Sequence, residues 1–256
     1  MGVRVLLLRA AGTNCDLETA HAWRLAGAET ETVHVKRLIA QPDQLRSFQI
    51  LTIPGGFSYG DDIAAGTILA GQLTQFVAEE LRRFIDHGKL ILGICNGFQV
   101  LVKTGLLPDP KRGERVVTLA CNASGRFEAR WVCLRTGQTP CRFLPPDASL
   151  ELPVAHAEGR LVCRDDTTLQ NLIDQHHVAL RYVGPDDQPG MYPYNPNGST
   201  ADIAGLTDPT GRILGLMPHP ERFVAPTQHP LWTRRQADRE PDGLIVFKSA
   251  VASLRE

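Results

Sequence analysis

The sequence predicts an α/β fold: a single domain over residues 1–256, built on a mainly parallel twisted sheet with helices on both faces. Two observations support this prediction. Short β-rich runs alternate with helical stretches in the N-terminal part, which is the pattern of parallel strands joined by crossover helices. The segments with candidate chemistry lie far apart, near residues 95 and 219, so one folded unit must bring them together.

The strands of the parallel sheet are predicted from short apolar and β-branched runs. They lie at Val3–Leu8, Glu31–Val35, Gln49–Ile53 and Leu90–Ile94. Residues 115–182 hold several further strand-like runs with few helix signals. This middle region therefore predicts an antiparallel extension of the sheet.

Two helices stand out by the spacing of their apolar residues, and both apolar faces are predicted to face the core. The clearer one ends at Gly88, a residue type that commonly terminates helices. Its apolar residues are Leu73, Phe76, Val77, Leu81, Phe84 and Ile85. The second helix lies near the C-terminus and carries Leu244, Phe247, Val251 and Leu254.

One cysteine stands between two glycines where the strand Leu90–Ile94 turns into a helix. This corner places Cys95 at a strained backbone position, and Gly93 and Gly97 are small enough not to collide with the strand and the helix. The unpaired N–H groups and positive dipole end of the helix favour a thiolate over a thiol. We therefore predict that Cys95 is a nucleophile; the alternative is a buried structural cysteine.

A cysteine nucleophile generally works with an imidazole that is itself oriented by a third group. Among the eight histidines, His219 ends an apolar run and is followed two residues later by Glu221. Residues i and i+2 of an extended segment point to the same side, so Glu221 can hydrogen-bond the ring of His219. We predict that Cys95, His219 and Glu221 are catalytic, with His156 as the next candidate base.

A pair of glycines follows another apolar run that ends at Ile53. Paired glycines let a backbone N–H point at a substrate without a Cβ in the way. We predict that the N–H groups of Gly56 and Asn96 form an oxyanion hole. The alternatives are a glycine-rich turn without a ligand and a phosphate loop, but no Gly-Lys-Ser/Thr follows.

Composition argues against several classes of protein. The chain has 27 basic and 28 acidic residues and a formal net charge of −1, so we expect neither a nucleic-acid partner nor binding to an anionic membrane. Six cysteines without C-x-x-C spacing predict no disulfide scaffold and no metal site. The apolar run Val3–Leu8 is too short for a signal peptide or a membrane span. A catalytic thiol suits the reducing cytoplasm, which is the predicted location.

Three of these motifs together resemble class I (triad) glutamine amidotransferases. They are Gly-Ile-Cys-Asn-Gly-Phe-Gln at 93–99, Pro-Gly-Gly-Phe-Ser-Tyr-Gly-Asp at 54–61 and Met-Pro-His-Pro-Glu-Arg at 217–222. Further segments at 122–128, 154–160 and 192–199 resemble, more narrowly, the glutaminase subunits of phosphoribosylformylglycinamidine synthase. Together the six segments extend over nearly the whole chain.

The resemblance implies a flavodoxin-like fold and the hydrolysis of L-glutamine. By this resemblance, Cys95 attacks the side-chain amide and releases ammonia, and water then hydrolyses a γ-glutamyl thioester. His219 would act as general base and then acid, and Glu221 would orient it. The implied substrate-binding residues are Gly55, Gly56, Phe57, Asn96 and Gln99.

The resemblance also implies a partner, because the sequence has no convincing ATP or phosphoribosyl site. A large synthetase subunit, with or without a small bridging subunit, would use the ammonia in de novo purine biosynthesis. ATP and Mg would belong to that subunit, and no cofactor is expected in this chain. Segments 136–150 and 225–242 look longer than a minimal family member needs.

Two other functions remain open from the sequence. One is a free-standing Cys-His hydrolase of the same fold that cleaves γ-glutamyl or peptide bonds. The other is a non-catalytic binding or regulatory subunit, which would normally lack the nucleophile or the histidine. Fast turnover by the isolated chain would favour the free-standing hydrolase.

Overall fold

The computed structural model describes residues 2–234 and 240–255, which form one large sheet, one small sheet and the helices around them. In chain order the strands of these residues are β1 (Arg4–Arg9), β2 (Glu29–His34), β3 (Ile50–Ile53), β4 (Leu90–Ile94), β5 (Val117–Ala120), β6 (Glu128–Thr136), β7 (Ser149–His156), β8 (Arg160–Cys163), β9 (Val178–Val183), β10 (Ile203–Thr207) and β11 (Ile213–Leu216).

The large sheet has the strand order β2-β1-β3-β4-β11-β10-β9-β6-β7. The five strands from β2 to β11 pair in parallel, and the pairs from β11 to β7 are antiparallel. Strands β5 and β8 form a separate antiparallel pair. The predicted α/β fold with an antiparallel extension is therefore confirmed.

The α-helices of the described residues pack against the sheets and, in several pairs, against one another. They are α1 (Asp16–Leu25), α2 (Val35–Ala40), α3 (Thr67–Phe76), α4 (Ala78–Asp86), α5 (Asn96–Lys103), α6 (Asp166–Asp174) and α7 (Asp242–Ala252). Helix α1 packs against α7 and helix α3 against α5. The ring of Trp23 meets that of Phe247 edge-on at 4.9 Å between centroids. Every residue of β4 is buried, as expected for a strand covered on both faces.

The predicted helix that ends at Gly88 is wrong in one respect, because the structure divides it into α3 and α4. The backbone at Val77 leaves the helical region, with φ −126° and ψ 1°. This break rotates the apolar faces of the two helices relative to each other, so that Val77 is buried whereas Phe76 is 51% exposed. Gly88 follows α4 with φ 72°, as expected for a helix-terminating glycine.

The two segments that look longer than a minimal family member needs, 136–150 and 225–242, differ in how far the structure describes them. In segment 136–150, Cys141, Phe143 and Leu144 are buried, and the Arg142 N–H donates to the Gly211 carbonyl at 2.8 Å. This segment therefore contributes to the core beside the turn that joins β10 to β11. Segment 225–242 lies partly outside the described residues, because its positions 235–239 are not described.

None of the helices in the described ranges combines the length and the apolar character needed to cross a bilayer.

Candidate active site

Cys95 occupies the corner between β4 and α5, where its backbone adopts φ 51° and ψ −104°. This strained conformation is the one predicted from the flanking glycines. A Cβ on Gly97 would lie 1.9 Å from the carbonyl oxygen of Ile53, and a Cβ on Gly93 would lie 2.6 Å from that of Gly97. Both positions therefore need glycine, because the backbones approach too closely for any side chain.

The thiol of Cys95 opens into a cavity of about 250 Å³. Only 5% of Cys95 is exposed, and its Sγ lies 3.8 Å from the carbonyl oxygen of Ala155 in β7. The strained corner therefore presents the thiol to this cavity, with little of the residue exposed to bulk solvent. His219 lines the same cavity, so the structure brings together the two residues expected to share a proton.

His219 and Glu221 are buried side by side, with Nδ1 of the ring 2.6 Å from Oε1 of the carboxylate. The predicted hydrogen bond is present, but its geometric reason is different. Residues Pro220–Arg222 form a 3-10 turn after the strand and do not continue it, so the turn brings the carboxylate back to the ring. The strand itself ends earlier, at Leu216.

Burial by itself would lower the pKa of His219, but neighbouring groups raise it well above its usual range. The Glu221 carboxylate and the thiols of Cys95 and Cys15 cause this rise. Nε2 of His219 is buried and has no hydrogen-bond partner among the described residues. The ring therefore favours the protonated form, and Nε2 stays available to the reacting groups.

Of the two predicted oxyanion donors, Gly56 lines the cavity and Asn96 directly follows Cys95. Gly56 has φ 135°, and a Cβ there would lie 2.7 Å from the backbone nitrogen of Asn14. Within the described part of the chain, the N–H groups of Gly56 and Asn96 donate to no backbone carbonyl. Asn96 is the first residue of α5, where such unpaired N–H groups are expected. Both groups are therefore free to bind an oxyanion.

The other predicted substrate-binding residues take different places. Phe57 and Gln99 line the cavity together with Gly56. Gly55 instead packs behind the catalytic ring, since a Cβ there would lie 2.8 Å from Cε1 of His219. The side chain of Asn96 is buried and donates to Gln99 Oε1 at 2.9 Å, which holds Gln99 against the wall.

Several cavity residues were not predicted as site residues. Asp61 and Glu158 both line the cavity, and burial together with the charge of Glu158 raises the pKa of Asp61. Arg222 also lines it and donates to the Sγ of Cys15 at 3.2 Å. These residues lie in or beside segments that carried the family resemblance, but no spacing rule assigned them a role.

Three buried residues offer atoms of the kind that bind metal ions. One ligand atom each from Cys15, His219 and Glu221 lies within 4.8 Å of the others. His219 and Glu221 are already hydrogen-bonded to each other, as a catalytic pair requires. The expectation that this chain has no metal site remains a prediction.

Comparison with known proteins gives concordant results. The family model described as CobB/CobQ-like glutamine amidotransferase domain matches residues 2–253. The phosphoribosylformylglycinamidine synthase subunit PurQ of Dehalococcoides mccartyi is 46% identical over 256 residues, which cover 99% of this chain and 98% of that protein. The same subunit from Methanococcus maripaludis is 42% identical over 262 residues, covering 97% and 96%.

Comparison with solved structures also points to PurQ-containing and glutamine amidotransferase proteins. A chain of the structure described as PurLQS from Thermotoga maritima superposes with a TM-score of 0.73 at 33% identity, covering 99% of this chain and all of that one. A glutamine amidotransferase from Thermotoga maritima, 14% identical over 99% of this chain and 98% of its own, has a TM-score of 0.53. At that identity the second match shows a shared fold alone.

Proposed function

The chain belongs to the family of CobB/CobQ-like glutamine amidotransferase domains, and we propose that it is the glutaminase subunit of phosphoribosylformylglycinamidine synthase. In this role it hydrolyses L-glutamine to glutamate and ammonia. A synthetase subunit then uses the ammonia to convert formylglycinamide ribonucleotide to formylglycinamidine ribonucleotide. The full-length similarity to curated subunits of that enzyme supports this assignment.

In the first half of the reaction, the thiolate of Cys95 attacks the carboxamide carbon of glutamine. The N–H groups of Gly56 and Asn96 then bind the negative oxygen of the tetrahedral intermediate. His219 donates a proton to the leaving nitrogen through Nε2, so that ammonia departs and a γ-glutamyl thioester remains on Cys95. Glu221 stabilises the charged ring and holds Nδ1 in its protonated form.

In the second half, water attacks the thioester carbon. His219 now accepts a proton from that water, and the same two N–H groups bind the second tetrahedral intermediate. The C–S bond breaks, glutamate leaves, and the thiolate of Cys95 is restored. One cavity therefore serves both halves of the reaction.

We assign no cofactor to this chain and place ATP and Mg on the large synthetase subunit, with or without a small bridging subunit between them. We also propose that the chain acts as one amidotransferase domain. The buried apolar residues of its described ranges support this, since they form one cluster that includes Val3 and Val251. We propose a cytoplasmic location, and the need to keep the thiolate of Cys95 reduced supports it.

The observation that carries this function is that Cys95, His219 and Gly56 line one cavity, where Glu221 holds the ring of His219 and the unpaired N–H of Asn96 directly follows Cys95. The test is Cys95→Ala in the complex reconstituted with the synthetase subunit. We expect glutamine-dependent synthesis to be lost and synthesis from ammonium salt to be retained, measured on one preparation near or above pH 8, where some free NH3 is present. Alanine is smaller than cysteine, so the corner should accommodate it.

Loss of both activities, with the complex still assembled, would contradict this function. It would mean that Cys95 serves the synthesis step or the architecture of the complex. Retention of both activities would exclude Cys95 as the nucleophile.

A further inference from the structure

His156 lies at the end of β7 and lines the same cavity as Cys95, yet the reaction described above does not use it. Its side chain is 3% exposed. Its Nε2 is buried without a hydrogen-bond partner among the described residues. A buried polar atom that lacks a protein partner costs free energy unless a ligand or an ordered water satisfies it.

The side chain of Asn122 fixes which nitrogen of this ring carries the proton. Nδ2 of Asn122 donates to the carbonyl oxygens of Arg126 at 2.9 Å and His156 at 2.8 Å. Oδ1 of Asn122 accepts from the Gly159 N–H at 3.0 Å, so the orientation of the amide is determined. The same Oδ1 lies 3.1 Å from Nδ1 of His156, and an oxygen can only accept there. Nδ1 therefore carries the proton, and the lone pair lies on Nε2 of a ring that lines the cavity.

The ring is also held neutral and in place. Burial, together with the charge of His219, lowers the pKa of His156 to about 3. At neutral pH Nε2 is therefore an acceptor and never a donor. A Cβ on Gly159 would lie 2.4 Å from Cε1 and Nδ1 of the ring, so the backbone at Gly159 packs directly against it.

The sheet places His156 on the side of the site where the carboxamide nitrogen must lie. Gly56 follows β3, Cys95 follows β4 and His219 follows β11, and these three strands are neighbours in that order. An oxyanion bound at Gly56 points toward β3, so the carboxamide nitrogen points toward β11. On that side the His219 N–H donates to the Pro153 carbonyl of β7 at 2.8 Å. Strand β7 thus runs beside His219 and ends at His156, which lines the same cavity.

We propose that Nε2 of His156 accepts a hydrogen bond from the carboxamide N–H of bound glutamine and thereby selects an amide over a carboxylate. The inference rests on the proposed function. If the side chain of glutamate lay in the same place, one of its carboxylate oxygens would face Nε2. Both atoms carry a lone pair and neither carries a proton to donate, so no hydrogen bond could form. Sites that hydrogen-bond a substrate N–H strongly reject analogues that lack it, because the buried partner is left unpaired. The contact therefore also helps the product glutamate to leave.

The test compares L-glutamine with L-glutamate γ-methyl ester, which has the same α-amino acid end and no carboxamide N–H. In the complex with the synthetase subunit, His156→Leu should lower kcat/KM for glutamine by about tenfold to a hundredfold. It should not lower kcat/KM for the ester, since that substrate makes no such hydrogen bond and, like glutamate, places an oxygen lone pair opposite Nε2. Inhibition by glutamate should become stronger in the same variant. His156→Gln, whose side-chain oxygen can accept a hydrogen bond, should restore part of the glutamine activity.

His177→Leu is the matched control, because His177 is equally buried but bonds to the carbonyl of Thr207 away from the cavity. His177→Leu should leave the ratio of kcat/KM for glutamine to kcat/KM for the ester unchanged. An equal loss for glutamine and ester in His156→Leu would overturn the proposal, since His156 would then act on the α-amino acid end or on the shape of the site. No loss for either substrate would overturn it as well.

A second measurement does not depend on the folding of that variant. In the full-length Cys95→Ala chain with isotope-labelled histidine, saturating glutamine should shift the NMR resonance of Nε2 of His156, and the γ-methyl ester should not. No shift with glutamine overturns the proposal. If the wild-type complex hydrolyses neither substrate, the proposed function itself fails. That result differs from the outcomes that would overturn the role of His156, all of which require an active wild-type complex or a chain that binds glutamine.

Discussion

At the scale of single residues, the site depends on how each imidazole is held. His219 is paired with Glu221 at 2.6 Å and its pKa is raised, whereas His156 is paired with a neutral amide and its pKa is lowered. Two rings of the same chemistry thus carry opposite protonation states in one cavity. The partner on Nδ1 and the neighbouring charges decide which state each ring adopts.

Substitution of His219 by alanine should lower kcat for glutamine hydrolysis by about 10²-fold or more, while KM changes little. The base acts in the transition state, and the cavity wall around Gly56 and Gln99 stays in place. Glu221→Gln should have the same effect in milder form, because the ring keeps its position and loses only the charge beside it. Steady-state kinetics on the complex measure both effects. A His219→Ala rate within about threefold of the wild type would identify another residue as the base.

The neutral state of His156 predicts an acid-sensitive stability. The unfolded chain binds a proton on this residue near its ordinary pKa of about 6.5, whereas the folded chain binds it only near pH 3. The unfolded state therefore binds more protons between these values, and stability falls as the pH drops. From about pH 7.5 to about pH 5, His156 should account for a loss of about 2 kcal/mol in the free energy of unfolding.

Denaturant unfolding of the wild type and His156→Gln at both pH values isolates this effect, since the other titrating groups are common to the two proteins. The variant should lose less stability on acidification. Equal losses would mean that His156 is protonated in the folded chain.

At the scale of the elements, the strand-turn-helix corner is a steric construction. Helix α5 can begin directly after β4 only because Gly93 and Gly97 allow the backbones to approach each other and β3. The strained φ of Cys95 is sustained by that packing. The chemistry of the corner and its tight packing therefore depend on the same residues.

Gly97→Ala should destabilise the chain by about 1–3 kcal/mol or more, because the new methyl group would meet the carbonyl of Ile53 at 1.9 Å. Glutaminase activity should fall with it as the corner shifts. Gly71→Ala is the control, since its Cβ would meet nothing within 4 Å on the exposed side of α3. It should stabilise by about 0.5–1 kcal/mol. Thermal unfolding measures both, and an unchanged stability in Gly97→Ala would show that the corner can relax.

At the scale of the whole molecule, the cavity is lined by aromatic residues that the chain itself does not cover. Phe57 and Phe127 line it, and they remain 43% and 51% exposed. The mouth of the cavity is therefore only partly closed in this chain. A partner that covers these rings would exclude water and complete the site.

We expect the isolated chain to hydrolyse glutamine at least about tenfold more slowly than the complex with its synthetase subunit, as loss of a positioned site predicts. Ammonia release measured with and without that subunit, at equal concentrations of this chain, provides the test. Fast turnover without any partner would favour the free-standing hydrolase. A slow rate in both states would point instead to a non-catalytic subunit.

The sequence predicted the elements whose structure is set locally. The strand Leu90–Ile94 and the corner at Cys95 agree with the structure, because apolar runs and flanking glycines constrain the backbone within a few residues. The break at Val77 was not predicted from the sequence. The spacing of apolar residues indicates which of them can share a helix face, but it does not indicate how each face packs against the rest of the protein. The hydrogen bond between His219 and Glu221 was predicted, but a turn forms it and not an extended strand.

The sequence by itself thus determined the fold class, the family and the motifs, because strand periodicity and local steric requirements depend on residues that are close together in the chain. Only the tertiary structure decided which of these residues meet. The approach of β7 to Cys95 and the orientation of His156 by Asn122 join residues that are far apart in the chain. Such contacts depend on the order of strands in the sheet and on the packing between them, and no local pattern encodes either.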